Sequence, residues 1–539
     1  MPTDSNSPPC GPAERAALFK RLRDGARFDL LVIGGGATGL GVALDAATRG
    51  FSVLLAEAGD FAQGTSSRAT KLVHGGVRYL AQGNIALVRE ALKERAALLA
   101  NAPHVAHRLP FIVPGYHLWE PGWYGMGLKV YDTLAGRRGI GDTRWLSASR
   151  TLELLPAARP EGLSGGVRYW DGQFDDARLA VLLARTAAAR GAGVLNHARL
   201  VGLRQDKGQL RAVQLEDAET QERFEVQAGC VVNATGVWVD AVRNLDRAEG
   251  QPAPQPMVAP SQGVHLVVDR SFLPGGHALM VPRTEDGRVL FAVPWLGKTI
   301  LGTTDTPRED ITAEPRPFGH EVDFILREAA RYLRRAPQRG DVRSAWVGLR
   351  PLVRPADDGG DTKSISREHT ISVSRSGLVT VTGGKWTTYR AMAEDVLSRC
   401  MSRGLLSSRS QSVTEHLPLL GAAPGRPLAD PPGEHLYGSE AASLRALPGA
   451  DRWIWRDAES GQGGLTEAMV RFAVRHEMAR SVTDVLARRS RLLFLDARLA
   501  GEVAPQVADL LSEELGSAFD APASLSACRE LAQTYARLD

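Results

Sequence analysis

The spacing Gly34-x-Gly36-x-x-Gly39, set directly behind the apolar run 28–33, constrains this chain more than any other feature. Residues 28–33 read as a buried strand, 38–49 as a helix and 52–56 as a second strand. Together they make a β-α-β unit. Gly34 permits the tight turn, Gly36 lets backbone approach a pyrophosphate, and Gly39 lets helix and strand pack closely. Ala37 and Thr38 open the helix, where free N–H groups and the dipole favour an anion. Glu57 ends the second strand, the place where an acid receives ribose hydroxyls. A bound dinucleotide is the expectation; a glycine turn in an ordinary α/β domain is the plain alternative.

The motif alone does not separate NAD from FAD. Two later segments favour FAD. Residues 231–236 (VVNATG) and 381–385 (VTGGK) are apolar strands ending in small-residue turns. Thr235 and Gly236 in the first, and Gly383 and Gly384 in the second, would bring backbone N–H groups against the cofactor.

At 539 residues and 43% hydrophobic content, the chain exceeds one ordinary domain. A formal net charge of +4 gives no argument for a nucleic-acid partner. Cys10, Cys230, Cys400 and Cys528 lie far apart with no CxxC pair, which argues against a metal site or redox dithiol and for a reducing compartment. The opening residues show no apolar stretch behind a basic start, so no secretory leader is expected. No run reaches the ~18 apolar residues of a spanning helix. Any membrane contact would be peripheral.

Residues 12–23, 85–100 and 176–190 carry helical patterning. Residues 264–304 hold four short apolar runs separated by turn signals, which reads as an antiparallel meander. A Pro/Gly-rich stretch at 417–433 precedes a mostly helical tail. The expected fold is α/β: a Rossmann-like FAD-binding domain, an antiparallel β-sheet substrate (cap) domain and a helical C-terminal domain. The FAD-binding pieces fall at about 28–85, 170–260 and 345–405, the cap pieces at about 86–169 and 261–344, and the helical domain at 406–539.

Several segments are specific enough to resemble a family. They are residues 65–80 (TSSRATKLVHGGVRYL), 302–305 (GTTD), 347–352 (VGLRPL) and 383–390 (GGKWTTYR), with the C-terminal run 476–489. From about Phe28 to its end the chain resembles the FAD-dependent, quinone-linked glycerol-3-phosphate dehydrogenases. That resemblance implies oxidation of sn-glycerol 3-phosphate to dihydroxyacetone phosphate, with FAD as first electron acceptor and membrane quinone as the next. It implies flavin contacts from Thr65, Ser66, Ser67, Lys71, His74, Gly75, Gly76, Lys385 and Thr387. Phosphate would be held by Arg78, Arg350, Arg367 and Lys385, with hydroxyl contacts from Tyr79 and Thr303, because guanidinium forks suit phosphate. No metal is implied.

For the hydroxyl proton, His265 is the first candidate base and His74 the second, since imidazole titrates near working pH. Either also reads as a structural histidine, and Arg350 beside an alkoxide would stabilise negative charge instead. Three departures stand out: Trp386 where leucine is frequent, Ser366-Arg367-Glu368-His369 for a commoner Ser-Arg-Asp-Tyr, and Gln262 for a lysine. The rival readings are a glycerol-3-phosphate oxidase that uses oxygen, an amino-acid oxidase, and a non-catalytic flavin-fold scaffold.

Quinone is confined to lipid, so a bilayer surface is an expected partner. Residues 117–138, with Trp119, Trp123, Tyr124 and Tyr131, and residues 13–23, with Leu18, Phe19 and Leu22, offer amphipathic faces. The expected location is peripheral, on the inner, cytoplasmic face of the cytoplasmic membrane. Monomer and homodimer both remain open.

Overall fold

A computed structural model describes residues 10–76, 84–247, 250–354, 369–458 and 461–538. The apolar run near the start becomes strand β1 (Arg27–Ile33), followed by helix α1 (Ala37–Thr48) and strand β2 (Val53–Ala56). With β3 (Gly193–Leu195), β4 (Arg223–Asn233) and β5 (Leu378–Gly383) these strands form a parallel array in the order β5-β4-β1-β2-β3. Leu30 and Val32 face the core that holds α1, while Leu31 and Ile33 face a second core on the other side of the sheet. Burial on both faces explains why β1 reads as a continuous apolar run rather than an alternating one. Helices Asp176–Ala189 and Tyr389–Ser402 flank α1 in the first core.

The second core takes in the N-terminal helix, Pro12–Arg23. Its Leu18, Phe19 and Leu22 are buried, and Phe19 stacks on Phe224 with ring centroids 5.1 Å apart. The apolar face that the sequence offered to a bilayer is therefore covered by the protein itself.

A second, ten-stranded sheet carries the other half. Three of the four apolar runs of the expected meander pair in succession, Ala278–Val281 with Leu290–Trp295 and then Lys298–Gly302. The first run does not join at the Ala278 end. It lies in the long strand Val258–Asp269, which pairs with Lys298–Gly302 and, over its length, with Ser344–Val353. Ala278–Val281 instead takes a parallel partner in Ala106–Gly115. This arrangement places His265 in register with both Gly302 and Trp346.

The C-terminal helices, Glu467–Glu477, Ala497–Leu515 and Ala521–Ala536, share a hydrophobic core with this sheet: Trp295 and Trp346 belong to the same cluster as Phe472, Phe494 and Val507. Charged residues of Glu467–Glu477 and of the segment that follows it reach back to the dinucleotide half. Arg178 pairs with Glu477 at 2.8 Å, Arg488 and Arg489 both engage Asp60, and Arg491 lies 3.1 Å from Asp176. Buried pairs of this kind are costly to break singly, because the remaining charge is stranded.

His197 joins the same seam, its Nε2 lying 2.9 Å from Asp484. Burial pulls its pKa down, but Asp484 and then Asp60 outweigh that, and the value ends above the usual 6.5 even with Arg15 opposing. A raised histidine contributes stability in full below its unfolded value, and the contribution is lost as pH rises through the folded value. His197→Asn should therefore lower the melting temperature by more at about pH 6 than at about pH 9. Equal losses at both would show that the ion pair contributes nothing.

Candidate active site

The glycine turn leaves the C-terminal end of β1, between β4 and β2. Gly36 is extended and α1 begins at Ala37. Ala37 N donates to Ser66 Oγ at 3.0 Å, and Gly35 N donates to Glu57 Oε2 at 2.6 Å. Glu57 also accepts from Gly59 N at 2.9 Å; burial raises its pKa, against the pull of these two amides. The turn is thus held from both sides. Thr235 and Gly236 follow β4, and Gly384 and Lys385 follow β5, so three neighbouring strand ends open on one cavity of about 1380 Å³. That exceeds the roughly 300–1,000 Å³ of ordinary small-molecule sites, as an elongated dinucleotide requires. On this wall Thr382 Oγ1 is buried without a hydrogen-bond partner among the described residues. A helix N-terminus, an acid at the second strand and a long trough fit FAD.

The antiparallel sheet closes the far end. His265, Thr303, Asp305 and Arg350 line the same cavity as the glycine turn. Arg350 donates to Thr304 O at 2.9 Å and Asp305 Oδ1 at 3.2 Å, and lies 3.4 Å from Thr303 Oγ1. His265 is 3% exposed and stacks on Trp346, with centroids 5.5 Å apart and planes at 15°. Its Nε2 lies 2.9 Å from Thr70 Oγ1. Burial, then the charges of Lys71 and Arg350, hold its pKa well below 6.5, so the imidazole is neutral at working pH. A neutral ring can accept a hydrogen bond or a proton, and the cations that keep it neutral also favour an alkoxide nearby.

Of the residues singled out in the sequence, Gly34, Gly36, Ala37, Thr38, Glu57, Thr65, Ser66, His74, Gly76, Thr235, Gly236, His265, Thr303, Arg350, Gly384, Lys385 and Thr387 line this cavity, as does Gly383. Arg78, Tyr79 and Arg367 lie outside the described residues. Gly39, Ser67, Lys71 and Gly75 do not line it. Gly39 packs beneath the turn, where a Cβ would fall 1.9 Å from Gly34 O. Lys71 is fully buried; its Nζ donates to Ser67 O at 2.6 Å and Asp176 at 2.8 Å, and sits 5.2 Å from the ring centres of Trp295 and Trp346. Burial, against Asp176, brings it down to about 7.

The comparisons with known proteins agree with this geometry. Residues 29–390 match the family described as FAD dependent oxidoreductase, and residues 433–520 match the C-terminal domain of alpha-glycerophosphate oxidase. The glycerol-3-phosphate dehydrogenase of Bacillus halodurans, solved in complex with FAD, superposes with a TM-score of 0.75 at 30% identity, over 97% of this chain and 98% of that one. The mitochondrial glycerol-3-phosphate dehydrogenase of Arabidopsis thaliana is 41% identical, over 94% of this chain and 86% of that protein. This chain belongs to the FAD-dependent glycerol-3-phosphate dehydrogenase family. The human mitochondrial relative is 40% identical, over 94% of this chain and 73% of its own length.

In this family FAD supplies the two-electron acceptor. Around its trough the structure adds residues the sequence did not single out for the site. Thr70 lines the cavity beside His265 and meets its Nε2, and Asp305 braces Arg350; both lay inside quoted motifs without a stated role. Gly263 leaves room for the Arg350 guanidinium, since a Cβ there would lie 2.3 Å from Nη2. Trp386, one of the family departures, donates from Nε1 to Ser66 O at 2.8 Å and so fixes the segment that caps the glycine turn. Gln262, another, is buried in a network with Glu321 and Arg308 rather than in the cavity wall.

Proposed function

We propose that this protein oxidises sn-glycerol 3-phosphate to dihydroxyacetone phosphate and passes the electrons through FAD to membrane quinone. The observation that carries the substrate reading is the shared wall: Arg350, Lys385 and Thr303 line one cavity with a neutral His265. Guanidinium and ammonium groups hold the phosphate, and His265 takes the C2 hydroxyl proton while Arg350 steadies the developing oxyanion. Orientation of the C2 carbon follows from anchoring the phosphate at the far end of so short a substrate.

The acceptor reading rests on a surface. Helix Glu120–Ala135 exposes Trp123, Met126 and Val130, with Trp119 and Leu118 just before it and Leu118 93% exposed. Tyr131, which the sequence grouped with these rings, is 1% exposed and belongs to the inner face. Contiguous exposed apolar rings mark interaction sites, and indole suits the headgroup boundary. No helix among the described residues is long and apolar enough to cross a membrane. The exposed rings support peripheral attachment, on the inner face of the cytoplasmic membrane.

One experiment tests both parts. Anaerobic addition of glycerol 3-phosphate should bleach the flavin, and quinone in liposomes should restore its colour. Trp119→Ser with Trp123→Ser should lose liposome sedimentation and quinone reduction while a soluble dye is still reduced. A flavin that stays oxidised under excess substrate sinks the substrate reading. Rapid oxygen uptake without quinone would favour the oxidase instead.

A further inference from the structure

Helix Glu120–Ala135 has a polar anchor on the side opposite its exposed rings. Tyr131 is the residue that makes it. Its hydroxyl accepts from Gly75 N at 2.7 Å, donates to Asp171 Oδ2 at 3.2 Å and lies 3.3 Å from Arg95 Nη1. Arg95 in turn binds Asp171 at 2.9 Å. All three side chains are buried. Beside this triad Val88, Leu92, Tyr131 and Ala135 form a small cluster of their own, while Leu128 of the same helix joins the largest core.

Gly75 is the point of contact for a reason of space. A Cβ there would fall 2.3 Å from the Tyr131 hydroxyl and 2.5 Å from Leu92 Cδ2, so backbone and phenol meet directly. On either side of Gly75, His74 and Gly76 line the FAD cavity, as does Asp171. The Thr387 hydroxyl lies 3.4 Å from His74 O and ties the same segment to the strand end at β5. One hydroxyl therefore joins two things: a helix whose outer face shows Trp123, Met126 and Val130 to solvent, and the backbone that forms part of the cofactor wall.

We propose that Tyr131 is a positioning residue that couples coverage of the exposed helix face by a lipid surface to the placement of the His74–Gly76 segment against the flavin. The inference rests on the peripheral-membrane reading above. A helix rotation or shift imposed where the rings enter the headgroups reaches Gly75 N through the Tyr131 hydroxyl. The buried charge of Asp171, balanced by Arg95, keeps the phenol from turning to another partner. Tyr131→Phe keeps the ring and its packing but removes the link.

The test uses the purified FAD-loaded protein with vesicles of phosphatidylethanolamine and phosphatidylglycerol, and reads the flavin's visible spectrum and midpoint potential. Wild type should shift in both when vesicles are added. Tyr131→Phe should sediment with the vesicles as wild type does, carry a full flavin complement, and show neither shift. Thr143→Val serves as control: it removes a hydroxyl near the same helix, 3.4 Å from Leu128 O, without touching Gly75, and should keep both shifts. If Tyr131→Phe retains the wild-type shifts, or wild type binds vesicles with no change at the flavin, the coupling is wrong while the membrane reading stands. Wild type that fails to sediment with vesicles overturns both.

Discussion

Arg350→Ala should lower kcat/KM for glycerol 3-phosphate by about one to two decades and leave FAD bound. A charge-assisted hydrogen bond is worth about 1.5–3 kcal/mol, which converts to that range. The guanidinium reaches the cavity from the antiparallel sheet, braced by Asp305 and Thr304 O, and no contact of the glycine turn depends on it. Arg350→Lys should recover only part of the loss, because an ammonium keeps the charge without the planar fork. A second readout separates this role from simple misfolding. Arg350 is one of the charges that push His265 down, after burial and Lys71. Removing it should let the His265 pKa rise, so the acid limb of the kcat/KM profile moves to higher pH. Wild-type kcat/KM in Arg350→Ala, with an unmoved acid limb, would place substrate recognition elsewhere in the trough.

The parts of the fold that were legible in the sequence are those written in consecutive residues. Strand, glycine turn, helix and terminal acid occupy about thirty residues, each constraining the next, and the helix expected at 12–23 runs over those same residues. Strand neighbours were less readable. Nothing in residues 264–304 says that the first run pairs with the last of the set and with Ser344–Val353, since that pairing is decided by distant partners.

The site divides along the same line. Motifs gave the identity of residues around the cofactor, but order along a motif does not give direction. Residues 65–76 contribute Thr65, Ser66, Thr70, His74 and Gly76 to the cavity, while Ser67, Lys71 and Gly75 turn into other surroundings. Lys71 reads as a flavin contact because it sits among them; in three dimensions it is a buried amine among Trp295, Trp346 and Phe494, and its protonated form lowers the pKa of His265. Tyr131 shows the same limit on a helix. Aromatic density suggested one face, yet Tyr131 lies with Leu128 and Ala135 on the buried side, and Trp123, Met126 and Val130 lie on the exposed one.

The other large effect is expected at Gly39, where substitution should strip the cofactor. Its Cα faces the turn it supports: a Cβ would lie 1.9 Å from Gly34 O and 3.1 Å from Gly34 C, with Val32 Cγ1 at 3.3 Å behind. The obstacle is backbone, so no side chain can swing away to make room. Gly34 cannot yield easily either, because it holds φ at +109° and its own Cβ position is 2.6 Å from Ala234 O, just past the end of β4. Relief has to come from lifting α1 off β1, which moves the N–H groups of Ala37 and Thr38 away from the pyrophosphate position. Overpacking of this kind costs about 1–3 kcal/mol, or roughly one to two decades in cofactor affinity if it falls on the bound state. Gly39→Ala should therefore purify with little flavin and regain it only at high added FAD. Gly122→Ala is the matched control, since no atom of the described residues lies within 4 Å of its Cβ position. Flavin content measured by absorbance on protein of equal concentration decides the matter: a full complement in Gly39→Ala would mean that helix and turn separate without cost, and that the pyrophosphate is held elsewhere.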